Sequence, residues 1–162
     1  MGTRSMIAIQ NPYNKTVRAV YCHWDGYLEH NGAILQKHYS NSPKVNNLIA
    51  LGDISSLRPE IGEKHAFSRL ETPMDDEAYD KLYGNMTTFY GRDRGEENVE
   101  WKVAHTFEEF LDQVNSCGGE YYYVMKDGVW YCGDVYESHP TPLTNKLTPL
   151  AEALNKINVE TA

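Results

Sequence analysis

The chain reads as an α+β domain with a mainly antiparallel sheet and its helices packed on one face, and three observations lead there. Short β-branched or aromatic runs at both ends are separated by turn residues, as in Asn11-Pro12-Tyr13-Asn14-Lys15 and Asp127-Gly128. Between them lie segments with helical spacing and recognisable caps. Finally, the order β-β-α-α-β-α-β-α-β-β-α lacks the regular strand-helix alternation of a parallel α/β fold. At 162 residues, 41% of them hydrophobic, the chain fits one core and one domain, residues 1–162.

Met6 to Gln10 and Thr16 to Trp24 read as a hairpin. Side-chain alternation puts Val17, Ala19, Tyr21 and His23 on one face, and Arg18, Val20, Cys22 and Trp24 on the other, with Trp24 expected in the core. Asp25-Gly26 breaks the strand. Ile34, Leu35, His38 and Tyr39 then place a helix over about residues 31–40. Ser42 and Pro43 open a second helix, with Ser42 as the capping acceptor, a buried stripe of Val45, Leu48 and Ile49, and Gly52 at its end.

Residues 53–64 read as loop, His65 to Leu70 as strand, and Asp75 to Tyr83 as a short helix with acids in its first turn. The segment from Thr87 to Glu97 has two glycines, five charges and no period, and reads as a long exposed loop. Trp101 to His105 is a strand. Thr106 with Glu109 forms a capping box for a helix burying Phe107, Phe110, Leu111 and Val114, which Gly118-Gly119 ends. Glu120 to Lys126 and Val129 to Cys132 flank Asp127-Gly128 as a two-residue hairpin. Thr148-Pro149 starts a last helix carrying Leu150, Leu154 and Ile157.

A formal charge of -8 disfavours nucleic acid as a partner, since phosphate neutralisation calls for concentrated Lys and Arg. The acids occur in pairs and triplets, too sparse to imitate a phosphate ladder. Cys22, Cys117 and Cys132 make neither an even count nor a C-x-x-C pair, which fits a reducing compartment. No apolar stretch reaches 18 residues, no signal-peptide core is present, and Met6 stands where a myristoylation motif needs Ser or Thr, so neither a membrane nor an anchor is expected.

The most distinctive segment is Tyr21-Cys22-His23-Trp24-Asp25-Gly26-Tyr27. If the strand persists, His23 and Asp25 share a face as a base and its orienting carboxylate; the plainer alternative is a turn with a locally bonded histidine. Arg92-Asp93-Arg94 with Arg4 and Arg69 offers guanidinium forks for an anion, against the alternative that Asp93, Glu96 and Glu97 neutralise them. The candidate ligand-binding set is therefore Arg4, Tyr21, His23, Asp25, Tyr27, Arg92 and Arg94, with no catalytic residue assigned.

Six scattered histidines (His23, His30, His38, His65, His105, His139) lack metal-ligand spacing. No nucleophile elbow, Walker loop or G-x-G-x-x-G is present, so no metal or cofactor is expected. Tyr121-Tyr122-Tyr123 with Trp130-Tyr131 is an aromatic hairpin whose outer face is either covered or a partner surface.

Gly2-Thr3-Arg4-Ser5, the Tyr21 to Tyr27 segment, Leu51 to Ser55, Thr87 to Arg92 and Met125 to Tyr131 together resemble a group of small proteins encoded by tailed bacteriophages, over most of the chain. That resemblance implies a viral origin, a host-cytoplasm setting and action by binding to a host protein; Arg4, Arg92 and Arg94 with the aromatic strand end leave as the alternative a small-ligand protein that sequesters an anionic nucleotide or hydrolyses it with His23 and Asp25. The resemblance assigns no functional residue.

Overall fold

The computed structural model describes residues 2–134 and 147–161, and confirms the α+β class with a mostly antiparallel sheet. Its strands are β1 (Ser5–Gln10), β2 (Val17–Cys22), β3 (Ile54–Ser56), β4 (Thr88–Phe89), β5 (Lys102–Ala104), β6 (Tyr121–Lys126), β7 (Val129–Asp134) and β8 (Thr148–Pro149). They lie in the order β4-β3-β2-β1-β6-β7-β8, with β5 pairing beside β3 on the outer edge of β2. The pairs β1–β6 and β2–β3 run parallel; the other pairings are antiparallel.

The helices are α1 (Ala33–His38), α2 (Ser42–Ala50), α3 (Asp76–Tyr83), α4 (Tyr90–Arg94), α5 (Phe107–Ser116) and α6 (Leu150–Thr161). α1, α2 and α6 gather on one face of the sheet, over Ile7, Val20, Cys22, Tyr123 and Met125. α5 does not join them. It packs Phe110, Leu111 and Val114 on the opposite face, against Met6, Ala8, Ala19, Tyr122 and Val124. The strands supply the reason: Met6, Ile7, Ala8 and Ile9 are all buried in succession, so each face of the sheet needs a cover. Each fully buried apolar side chain contributes on the order of 2 kcal/mol relative to exposure.

The same cover settles the aromatic hairpin. Tyr123 belongs to the core under α1 and α2, and its hydroxyl donates to the Gly26 carbonyl at 2.6 Å. Tyr122 meets the rings of Phe107 and Phe110 edge-on, at 6.4 and 6.0 Å between centroids. Both faces are occupied from within. The turn itself follows expectation, with Asp127 and Gly128 at φ 50 and 80.

Several local readings change. The first helix is entered through a π-turn at Leu28–Gly32. In the second, Asn41 rather than Ser42 is the cap, accepting from the Lys44 amide at 2.9 Å and leaving Ser42 and Pro43 inside the first turn. Residues 65–71 are not a strand: Ser68 forms a capping box with Glu71 around a single 3₁₀ turn, Arg69–Glu71, so the backbone bonds locally instead of to a neighbour. Residues 53–64 contain β3, too short for alternation to show. Thr148-Pro149 pairs with β7 before α6 begins.

Residues 87–97 depart furthest from expectation. They form β4 and α4, closed by Gly95 at φ 72. Asp93 is buried among these polar residues: its carboxylate accepts from the amides of His65 at 3.1 Å and Phe89 at 2.8 Å, and from Nε of Arg92 at 3.0 Å. A carboxylate that organises two backbone segments turns an apparently aperiodic loop into an ordered one.

Candidate functional site

β2 ends at Cys22, with the His23 and Trp24 amides still donating to the Ile54 and Ser55 carbonyls, both at 3.0 Å. Asp25 then turns into the left-handed region, at φ 54. Gly26 follows because space forbids anything larger: an added Cβ would lie 2.7 Å from Cβ of Ser5 and 2.8 Å from the Thr3 carbonyl. The N-terminal segment is therefore pressed against the end of β2, which brings Arg4 to Tyr21 and His23.

Tyr21 and His23 share a face, as alternation predicts, and their side chains are bonded, the hydroxyl 2.6 Å from Nδ1. Burial pushes the Tyr21 phenol up to about 12, so it keeps its proton. Burial lowers His23, with the Arg4 charge adding to the effect, so its imidazole is neutral at pH 7. A neutral imidazole nitrogen is the better acceptor of the two atoms. The phenol donates to Nδ1, and the ring proton sits on Nε2. The pair thus presents an N–H donor beside a cation, a combination suited to an acceptor or an anion.

The base-and-carboxylate arrangement of His23 with Asp25 is not formed, because the strand stops short of Asp25. The Asp25 charge acts on Tyr27 instead, and is the main reason that phenol is held above its ordinary value. Trp24 is not core either. It is 42% exposed and meets the His23 ring edge-on, with centroids 4.6 Å apart. The exposure follows from the same early end of β2, since alternation no longer directs Trp24 inward.

Arg92 and Arg94 do not join this group. Arg92 donates to the carbonyls of Ile61 at 3.0 Å, Gly62 at 3.1 Å and Thr87 at 2.9 Å, and lies over the Phe89 ring. Arg94 pairs with Glu96 at 2.9 Å and lies over Phe67 and Tyr90. Arg69 pairs with Asp76. The guanidiniums of the 92–94 segment are engaged within the fold, whereas the exposed Arg4 guanidinium forms no ion pair among the described residues, its backbone amide donating to the Glu120 carboxylate at 3.2 Å.

Two contributors are distant in sequence and were not singled out there. Asp53 accepts the Tyr21 amide at 3.0 Å and fixes the strand end where β3 and β5 part; burial makes its carboxyl a weaker acid than an ordinary aspartate. Tyr90, near Ser55, lies close enough to act on Tyr21 electrostatically. Neither carries a local motif, so only the pairing of β2 with β3 reveals them.

The thiols are all raised by burial, Cys22 to about 11, Cys132 to about 12, and Cys117 also upward, which leaves them as protonated, weak nucleophiles. Among the described residues, which exclude His139, no three His, Cys, Asp or Glu side chains gather where they could hold a metal ion. No helix of the described residues is long and apolar enough to cross a membrane.

Fold and site together define an α+β domain that gathers the exposed Arg4 and Trp24 and the half-buried His23 at one end of its central strands. No family model matches the chain, nor does any curated protein or solved structure.

The strand-end electrostatics make a direct prediction. Because folding favours the neutral imidazole, the unfolded chain takes up the proton first. The His23 contribution to stability is therefore fully present above 6.5 and declines as pH falls from 6.5 towards the lower folded value. Arg4→Gln removes the repelling charge and moves the His23 titration upward, as followed by NMR of the imidazole carbon-bound protons; an unchanged midpoint would remove Arg4 from the site.

Proposed function

We propose that this chain is a bacteriophage accessory protein that works in the host cytoplasm by binding a host protein, in the manner of a factor that blocks a host defence component. The observation that carries this reading is the exposed Trp24 indole, 42% accessible, set edge-on to His23 near the exposed Arg4. Trp and Arg are the side chains that most often anchor protein interfaces, and here the indole is held by its neighbours before any partner arrives. Arg4 and the Nε2 proton of His23 suit a partner that offers a carboxylate at the edge of the contact. The engagement of Arg92 and Arg94 within the fold favours this reading over sequestration of a nucleotide at the same site, since polyphosphate recognition would call on several free guanidiniums.

The experiment is retention of proteins from bacterial host lysate on the immobilised chain, tagged at either end, compared with Trp24→Ala and Arg4→Glu. A discrete host protein held by the wild type and lost from both variants, with an affinity decrease of about 30-fold or more, is the expected result. A host protein held equally by all three chains, or none held in either orientation, overturns the proposal.

A further inference from the structure

At the opposite end of β2, a cavity of about 600 Å³ opens on the α2 face of the sheet, a volume within the range of small-molecule sites. Its floor is one row of residues across four strands. Val103 of β5 pairs with Arg18 of β2, Arg18 with Ile9 of β1, and Ile9 with Met125 of β6, so all four side chains share a face. Trp101 and Asn46 form walls.

Arg18 is the only cation on that apolar floor, and it is held in place. One Nη donates to the Asn46 side-chain carbonyl, and the guanidinium lies 5.4 Å from the centroid of the Trp101 ring. Its remaining N–H groups meet no acceptor, and no carboxylate reaches it, among the described residues. A fixed fork with free donors, over apolar surface, matches a planar anion carrying an apolar body. Asp127, exposed in the β6–β7 turn, also borders the cavity and weighs against multiply charged anions.

We propose that this cavity binds a small monoanionic carboxylate with an aromatic or aliphatic body, the carboxylate on Arg18 and the body along Ile9, Met125 and the Trp101 ring. This site is separate from the Trp24 surface and does not depend on its role.

The full chain has three tryptophans, so ¹H–¹⁵N NMR resolves three indole N–H signals. The probes are naphthalene-2-acetate, its neutral amide, and naphthyl phosphate. The acetate should shift the Trp101 signal saturably, with the amide weaker by about tenfold or more, since a charge-assisted bond is lost. Arg18→Met should bring acetate and amide together. Should that variant not fold, Val103→Glu places a competing carboxylate beside Arg18 at a position already 42% exposed, and should abolish acetate binding. A Trp101 signal unmoved at millimolar probe, equal binding of acetate and amide, stronger binding of the phosphate, or acetate binding untouched by Val103→Glu each overturns the assignment.

Discussion

Replacing Asp93 with alanine should cost about 3–5 kcal/mol of folding stability, because it leaves the Arg92 guanidinium half-buried without its partner and strips the acceptor from two buried amides. The carboxylate ties three pieces of chain together. His65 belongs to the segment leading into the 3₁₀ turn, Phe89 ends β4, and Arg92 reaches the carbonyls of Ile61, Gly62 and Thr87. His65 is itself locked: Nδ1 donates to the Glu63 carbonyl at 2.8 Å, Nε2 is bonded to the Thr88 hydroxyl at 3.2 Å, and the ring stacks on Tyr83 at 5.1 Å. In a chain of this size the loss corresponds to a fall in Tm of about 10 °C or more. Asp93→Asn keeps one acceptor but not the charge, and should fall between. Urea unfolding of the three chains checks this. A loss below about 1 kcal/mol for the alanine variant would mean that the network is a consequence of the fold there, not a cause.

The Asp93 network also marks the limit of what the sequence discloses. Elements whose signal is local were legible. The Asp127-Gly128 turn, the Thr106–Glu109 capping box, with its bonds of 3.1 and 3.2 Å, and the apolar stripes of α2 and α5 all stand where spacing places them. Elements held by distant partners were not. Thr87 to Arg94 looks aperiodic because its order comes from Asp93 and Arg92 bonding to residues 61–65, and nothing in the segment itself records those partners. β3 is three residues long and exists because it meets β2 on one side and β4 on the other.

The site was half legible for the same reason. Alternation correctly paired Tyr21 with His23, since His23, one residue past β2, still makes a ladder bond to Ile54. It failed at Trp24 and Asp25, where the chain has left the strand and alternation no longer applies. Arg4 joins the group through the close approach of the N-terminal segment to Gly26, while Arg92 and Arg94 follow the alternative the sequence offered, neutralisation by Asp93 and Glu96, with Arg92 also held by carbonyls. Arg18 carried a usable signal, a single cation within the buried run of β2, though its row partners Val103 and Met125 come from strands 85 and 107 residues away in the chain.

Two glycines that both have positive φ should respond differently to alanine, and the contrast isolates a packing constraint that supports both ends of β2. Gly52 (φ 87) and Gly95 (φ 72) both lie in the left-handed region, where a Cβ costs about 1–2 kcal/mol. Around Gly95 the position a Cβ would take is open, with nothing within 4 Å. At Gly52 it would stand 2.4 Å from the Val99 carbonyl oxygen, which is backbone and already accepts the Asp53 amide at 2.8 Å. Relief requires moving either residues 99–101, which lead to Trp101, or Asp53, which fixes the Tyr21 amide. Gly95→Ala should therefore lose only the conformational cost. Gly52→Ala should lose a further 1–3 kcal/mol or so from overpacking, and should disturb the His23 and Trp101 NMR signals together. Equal losses from urea unfolding would show that the Val99 carbonyl yields freely, and that the two ends of β2 are not coupled through Gly52.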